Sequence, residues 1–118
     1  MRPLPFALAA FAIAAPAAAR DVPVATPVGE PVSCIQLNQL RETHVRSDQV
    51  IDFELTGKRI YRNTLDGACP SLGFEERFAY SVSNGQLCST DLITVLQSTG
   101  GRGATCGLGK FQPVSIAK

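Results

Sequence analysis

A single histidine, His44, and the lack of any C-x-x-C pair leave this chain short of the residue types on which most enzyme chemistry rests. To act as a general base His44 would need a thiol or hydroxyl held beside it, and its neighbouring carboxylates Glu42 and Asp48 stand at no metal-ligand spacing. Without C-x-x-C, a zinc ribbon and a thioredoxin-type redox motif are both excluded. Basic clusters are missing too: Arg41, Arg46, Arg59, Arg62, Arg77, Arg102 and Lys110 are spaced among acids. Such spacing lacks the phosphate-neutralising footprint of a nucleic-acid binder, and it fits an anionic membrane no better. Glu75 and Glu76 are adjacent, and adjacent residues on a strand point to opposite faces, so they read as a solvated segment. Ser89-Thr90-Asp91 has no base placed to activate a hydroxyl and reads as a turn buttress.

The glycine-rich stretch from Gly100 to Lys110 fails as a phosphate loop. A Walker loop needs glycine five residues before its final Gly-Lys and a hydroxyl after it, where this chain has Ala104 and Phe111. The dinucleotide fingerprint fails at Cys106, which stands in place of the third glycine. The stretch is expected to be a hairpin loop followed by a bulged strand, with Arg102 projecting from a mobile tip toward an acidic partner. No catalytic residue, cofactor or metal ligand is expected, and the chain reads as a non-enzyme.

What is present starts with an export signal. Met1-Arg2 is a positive start, Leu4 to Ala15 is an almost unbroken apolar run, and Ala17-Ala18-Ala19 offers the small-x-small pattern of signal peptidase. Residues 1–19 are therefore expected to be removed, because the run is short of the roughly 20 apolar residues of a membrane span. Cys34 lies too far from that run to be a lipidation site. The alanine-rich signal suggests a Gram-negative bacterium, hence a periplasmic or secreted location. Of the 11 basic residues only Arg2 falls in the leader, which leaves the remainder balanced against 10 acidic ones. Residues 20–33, with Pro23, Pro27 and Pro31, read as a disordered linker. Residues 34–118 read as one domain.

Within it the signals are those of strands and turns, and the fold class expected is all-β. Five to seven short antiparallel strands would curl into a small barrel or sandwich. Val50 to Leu55 alternates, Thr56-Gly57 interrupts and Lys58 to Arg62 resumes. A two-residue loop would set Phe53 against Ile60 and Glu54 against Arg59. Asn84-Gly85 predicts a second hairpin with arms Phe78–Ser83 and Gln86–Thr90, and Val82 opposite Leu87. Leu92 to Leu96, Lys110 to Val114 and Glu42 to Arg46 add strands, and Cys69 to Gly73 reads as a short helical turn.

An even number of cysteines in an exported chain predicts disulfides, which a small core needs for stability. Of the three connectivities that Cys34, Cys69, Cys88 and Cys106 allow, the expected one joins Cys34 to Cys106 and Cys69 to Cys88.

The motifs Tyr61-Arg62-Asn63-x-Leu65, Cys69-Pro70-x-Leu72, Phe78-x-Tyr80, Leu87-Cys88-Ser89-x-Asp91-x-Ile93 and Cys106-x-Leu108-Gly109-x-Phe111 cover most of the domain. Together they resemble a family of small exported bacterial proteins described as a domain of unknown function. The resemblance implies an exported domain without an assigned activity, and it carries no catalytic residue over to this chain. Two functions fit these observations. One is an interaction or envelope-associated module that binds a protein or cell-envelope component. The other is a secreted inhibitor of a lysozyme or protease that uses the loop at residues 98–104.

Overall fold

The alternating stretch Val50–Leu55 forms the strand around which the rest is built, with Ile51, Phe53 and Leu55 buried on one side. In the computed structural model, which describes residues 22–116, ten antiparallel strands follow in chain order. They are β1 (Ala25–Pro27), β2 (Cys34–Gln36), β3 (Leu40–Val45), β4 (Val50–Leu55), β5 (Arg59–Thr64), β6 (Phe78–Tyr80), β7 (Gln86–Cys88), β8 (Leu92–Leu96), β9 (Arg102–Gly107) and β10 (Phe111–Ile116). One helical turn, α1 (Leu72–Glu75), precedes β6. The class is the all-β one expected. More strands are present than the five to seven anticipated, because segments of only three residues also pair. The export signal expected over residues 1–19 lies outside the described residues. Among those described, no helix is long and apolar enough to cross a membrane.

Three sheets result, ordered β1-β10-β5-β4-β3, β6-β8-β9 and β2-β7. The first two share one core. Phe53 of β4 meets Phe111 of β10 edge-on at 5.3 Å and Phe78 of β6 edge-on at 6.3 Å, so one ring joins the two larger sheets. Burial of such a ring contributes about 3 kcal/mol, and edge-to-face contact adds to it.

The described part of the linker is structured at its centre. Ala25–Pro27 pairs with Val114–Ile116, Val28 N–H donates to Pro113, and Val32 exchanges backbone hydrogen bonds with Phe111. An edge strand tolerates Pro27, since one of its rows of N–H groups has no ladder to serve. The segment thus covers an edge of β10 that would otherwise stand open.

The first hairpin forms one register away from expectation. Its loop is Thr56–Lys58, and the pairs are Leu55 with Arg59, Glu54 with Ile60, Phe53 with Tyr61 and Asp52 with Arg62. A two-residue type I′ loop would require positive φ at Thr56, which a β-branched residue resists. The chain instead places its left-handed residues at Gly57 (φ 76°) and Lys58 (φ 61°). Because side chains alternate, the slip turns Ile60 to the outer face and sets Arg62 beside Asp52.

The second hairpin does not form as a pair of arms. The Asn84-Gly85 turn is there, with Gly85 at φ 75° and Gln86 N–H donating to Asn84 Oδ1, but the strands beside it diverge. Phe78–Tyr80 pairs with β8, and Gln86–Cys88 pairs with β2, which sets Ile35 against Leu87 and Cys34 against Cys88. Phe78 is drawn away by its contact with Phe53.

That divergence decides the disulfides. They are Cys34–Cys88 and Cys69–Cys106, not Cys34–Cys106 and Cys69–Cys88. With β7 on β2, Cys34 and Cys88 are direct cross-strand partners. Cys106, opposite Ile93 on β9, is left to reach Cys69 in the segment before α1.

A close approach at Gly109 closes the fold between β9 and β10. Asn63, fully buried on β5, accepts the Gly109 N–H at 2.8 Å and donates to its carbonyl at 2.7 Å, acting as a short extra piece of ladder. A Cβ at Gly109 would overlap the carbonyl oxygen of Thr64. Gly109→Ala is therefore expected to cost about 2 kcal/mol by forcing backbone apart. Urea unfolding followed by circular dichroism reads this directly, and a midpoint equal to that of the native chain would refute the close approach.

Candidate functional site

Along β8 the side chains of Ile93 and Val95 enter the core, so Leu92, Thr94 and Leu96 face outward. Register places Ala79 and Thr105 on either side of Thr94, and the hydroxyls of Thr94 and Thr105 lie 3.0 Å apart. These three residues floor a shallow groove of about 490 Å³. Leu92, 60% exposed, forms its apolar wall, and Tyr80, which pairs with Ile93 and packs against Phe78 at 6.2 Å, borders it at the end of β6. Asp91 stands at one end, its carboxylate accepting the Cys88 N–H at 2.7 Å, which is the buttressing role expected of the Ser89-Thr90-Asp91 turn.

Arg102 also lines the groove. It is the first residue of β9, paired across from Leu96, and does not sit on a loop tip. Among the described residues its guanidinium has no hydrogen bond or ion pair. The loop before it is a tight turn in which Gly100 N–H donates to Gln97 and Gln97 N–H donates to Gly101. Gly100 adopts φ 102°, and the carboxylate of Glu75 on α1 accepts the Ser98 N–H at 2.9 Å. The bulge expected in the following strand is present: the two steps from Thr94 to Leu96 on β8 match the three from Thr105 to Arg102 on β9. The Cys69–Cys106 disulfide holds β9 on its core side. A free guanidinium beside apolar and hydroxyl groups on a disulfide-anchored sheet suits a ligand that carries a carboxylate next to an apolar group.

The outer face of the large sheet is chemically different. Asp52 is 1% exposed there and receives Arg62 Nε at 2.7 Å, Arg62 Nη2 at 2.9 Å and Arg46 Nε at 2.9 Å. Burial by itself would raise the Asp52 carboxyl, but hydrogen bonds from Arg62 and Arg46, with their positive charge, outweigh it and hold the pKa below the usual carboxylate value. Next to this triad lies His44, with Nε2 3.2 Å from Glu42 Oε1 and 3.4 Å from Glu54 Oε1. Asp48, the other carboxylate near His44 in sequence, is engaged elsewhere, accepting the Gly73 N–H of α1 at 2.7 Å.

Arg102 stands out in the sequence but the groove beside it does not, and nothing in the sequence links His44 to Glu54. A signal for the groove existed in Leu92-Ile93-Thr94-Val95-Leu96, where apolar residues occupy both parities, so one set must face away from the core. Glu54 carried no such signal, since its place beside His44 depends on β3 pairing with β4. Comparison with family models, with curated proteins and with solved structures finds no match to this chain.

Proposed function

We propose that this chain is an exported, non-enzymatic interaction module of the periplasm or cell exterior. It engages a protein or envelope component through the groove on the β6-β8-β9 sheet. The observation that carries this reading is Arg102, a guanidinium without a partner among the described residues, set beside exposed Leu92 and Tyr80. Interfaces are enriched in this combination of arginine, aromatic and apolar surface, and an unpaired arginine selects a carboxylate partner. The leader-like composition of residues 1–19 and the two disulfides, which persist in oxidising compartments, support the exported location. The test is a photo-crosslinking side chain at Thr94 in the exported chain. A discrete adduct is expected, reduced at least tenfold by Arg102→Glu and by Leu92→Ser. An adduct pattern indifferent to both substitutions would sink the groove as the binding face.

A second reading, inhibition of a lysozyme or protease, draws support from the turn at residues 98–101. Its hydrogen bonds and its tether to Glu75 reduce the ordering entropy that a glycine-rich loop would lose on entering a cleft. Dose-dependent inhibition within an enzyme panel, relieved by Arg102→Ala, would favour it over the module.

A further inference from the structure

We propose that Glu42, His44 and Glu54 form a binding site for a first-row divalent metal ion, with Zn²⁺ the best-fitting ion. The site is a product of the sheet. Glu42 and His44 are two residues apart on β3 and so share a face, and Glu54 is directly opposite Glu42 on β4. A bulge at Arg41 makes this possible: Leu40 pairs with Leu55, whereas Glu42 pairs with Glu54, so two steps on β3 match one on β4. Leu40 therefore packs inward against the core while Glu42 and His44 point outward.

Two features of the cluster call for a cation. Glutamates directly opposite each other on neighbouring strands repel. The single Nε2 between them carries at most one proton, and one N–H shared between two acceptors makes only a weak, bifurcated contact to each. The contact to Glu54 is a long hydrogen bond of 3.4 Å, and the contact to Glu42 is an ion-pair distance of 3.2 Å. A metal ion in place of that proton serves all three groups together. Bonds of about 2.0–2.1 Å from Zn²⁺ to imidazole nitrogen and carboxylate oxygen give a tetrahedral edge of about 3.3–3.4 Å. The two separations from Nε2 match that edge, and one ligand atom from each residue lies within 4.8 Å of the others.

Three protein ligands with an open fourth position toward solvent is the arrangement of an accessible zinc site, not of a closed structural one. Imidazole in the donor set selects against Ca²⁺ and Mg²⁺, which take oxygen ligands. Arg46 and Arg62 do not compete for the ligands, since both are committed to Asp52.

The experiment titrates ZnCl₂ into tag-free, chelator-treated protein, read by calorimetry and by the ring resonances of His44. Because the chain has a single histidine, those resonances need no assignment among alternatives. One ion per chain is expected, with displacement of the His44 ring signals, and millimolar Ca²⁺ should leave both unchanged. Loss of a direct ligand should exceed the ~10–100-fold that removal of an outer-shell partner costs. His44→Ala and, separately, Glu42→Gln are therefore expected to weaken binding by about 100-fold or more. Glu42 is the more exposed of the two, which makes Glu42→Gln the safer variant for folding. Absence of binding heat, His44 signals that do not move on addition of Zn²⁺, or undiminished binding by folded Glu42→Gln would each overturn the proposal.

Discussion

Asp52→Ala will lower the free energy of unfolding by about 3 kcal/mol at neutral pH, at the lower end of what removing one member of a buried charge cluster costs. The carboxylate is 1% exposed and accepts three hydrogen bonds from two guanidinium groups. Its removal leaves two cations that have given up water and lost their partner. Arg46 and Arg62 keep 27% and 15% of their side-chain surface, so partial rehydration holds the loss below the maximum for a fully enclosed pair. The sign of the pH dependence follows from the lowered pKa. A group whose folded pKa is depressed contributes stability that is complete above its unfolded pKa and lost as pH falls through the folded one. The difference between native chain and variant is therefore expected to be full at pH 7 and to shrink below about pH 4, where the unfolded carboxylate is about half protonated. Urea unfolding across a pH series measures it. A variant as stable as the native chain at pH 7 would show that the arginines are satisfied without Asp52.

Removing the Cys69–Cys106 disulfide by Cys69→Ala with Cys106→Ala is expected to cost about 4 kcal/mol in the chain-entropy model, given a sequence separation of 37. For so small a domain this is a large share of total stability. Loop length does not distinguish this bridge from Cys34–Cys88, with its separation of 54, since the entropy grows only with the logarithm of length. Burial does distinguish them. Cys69 is completely enclosed in the core, so its bridge to half-buried Cys106 is shielded at one sulfur, whereas Cys34 and Cys88 are both partly exposed on the two-stranded ribbon, and thiol reagents should open Cys34–Cys88 first. Peptide mapping without reduction checks the pairing itself. Recovery of a Cys34–Cys106 peptide would contradict the placement of β7 on β2 and the core face of β9 together.

The disulfide pairing and the two hairpins depart from expectation for one reason. Asn84-Gly85 is a strong local turn signal, and the turn forms, yet a turn does not oblige its flanks to pair when better partners lie further along the chain. Phe78 gains the aromatic contact with Phe53, and Leu87 gains burial against Ile35. At Thr56–Lys58 the alternation was legible and the loop length was not, because a single residue with positive φ more or less is decided by the cost at Thr56. The shift carried Arg62 to Asp52, so the strongest charge cluster described in the molecule could not be read from a register one residue off.

The groove stands between these cases. Its central residues, Leu92 to Leu96, carry a strand pattern and Arg102 a charge in the sequence, but only the strand that brings Thr105 beside Thr94 makes the two one surface.

The sequence by itself determined the all-β class, the positions of the central strands and of the Asn84-Gly85 turn, and the use of all four cysteines in disulfides. Those properties follow from alternation, turn chemistry and composition, each set by residues close together in the chain. Only the tertiary structure decided which cysteines join, that Arg62 lies beside Asp52, and that Glu54 completes the pair of carboxylates around His44. The physical reason is register: side chains alternate with period two, so a shift or bulge of one residue exchanges the two faces of a strand. What fixes that shift is packing between residues distant in sequence.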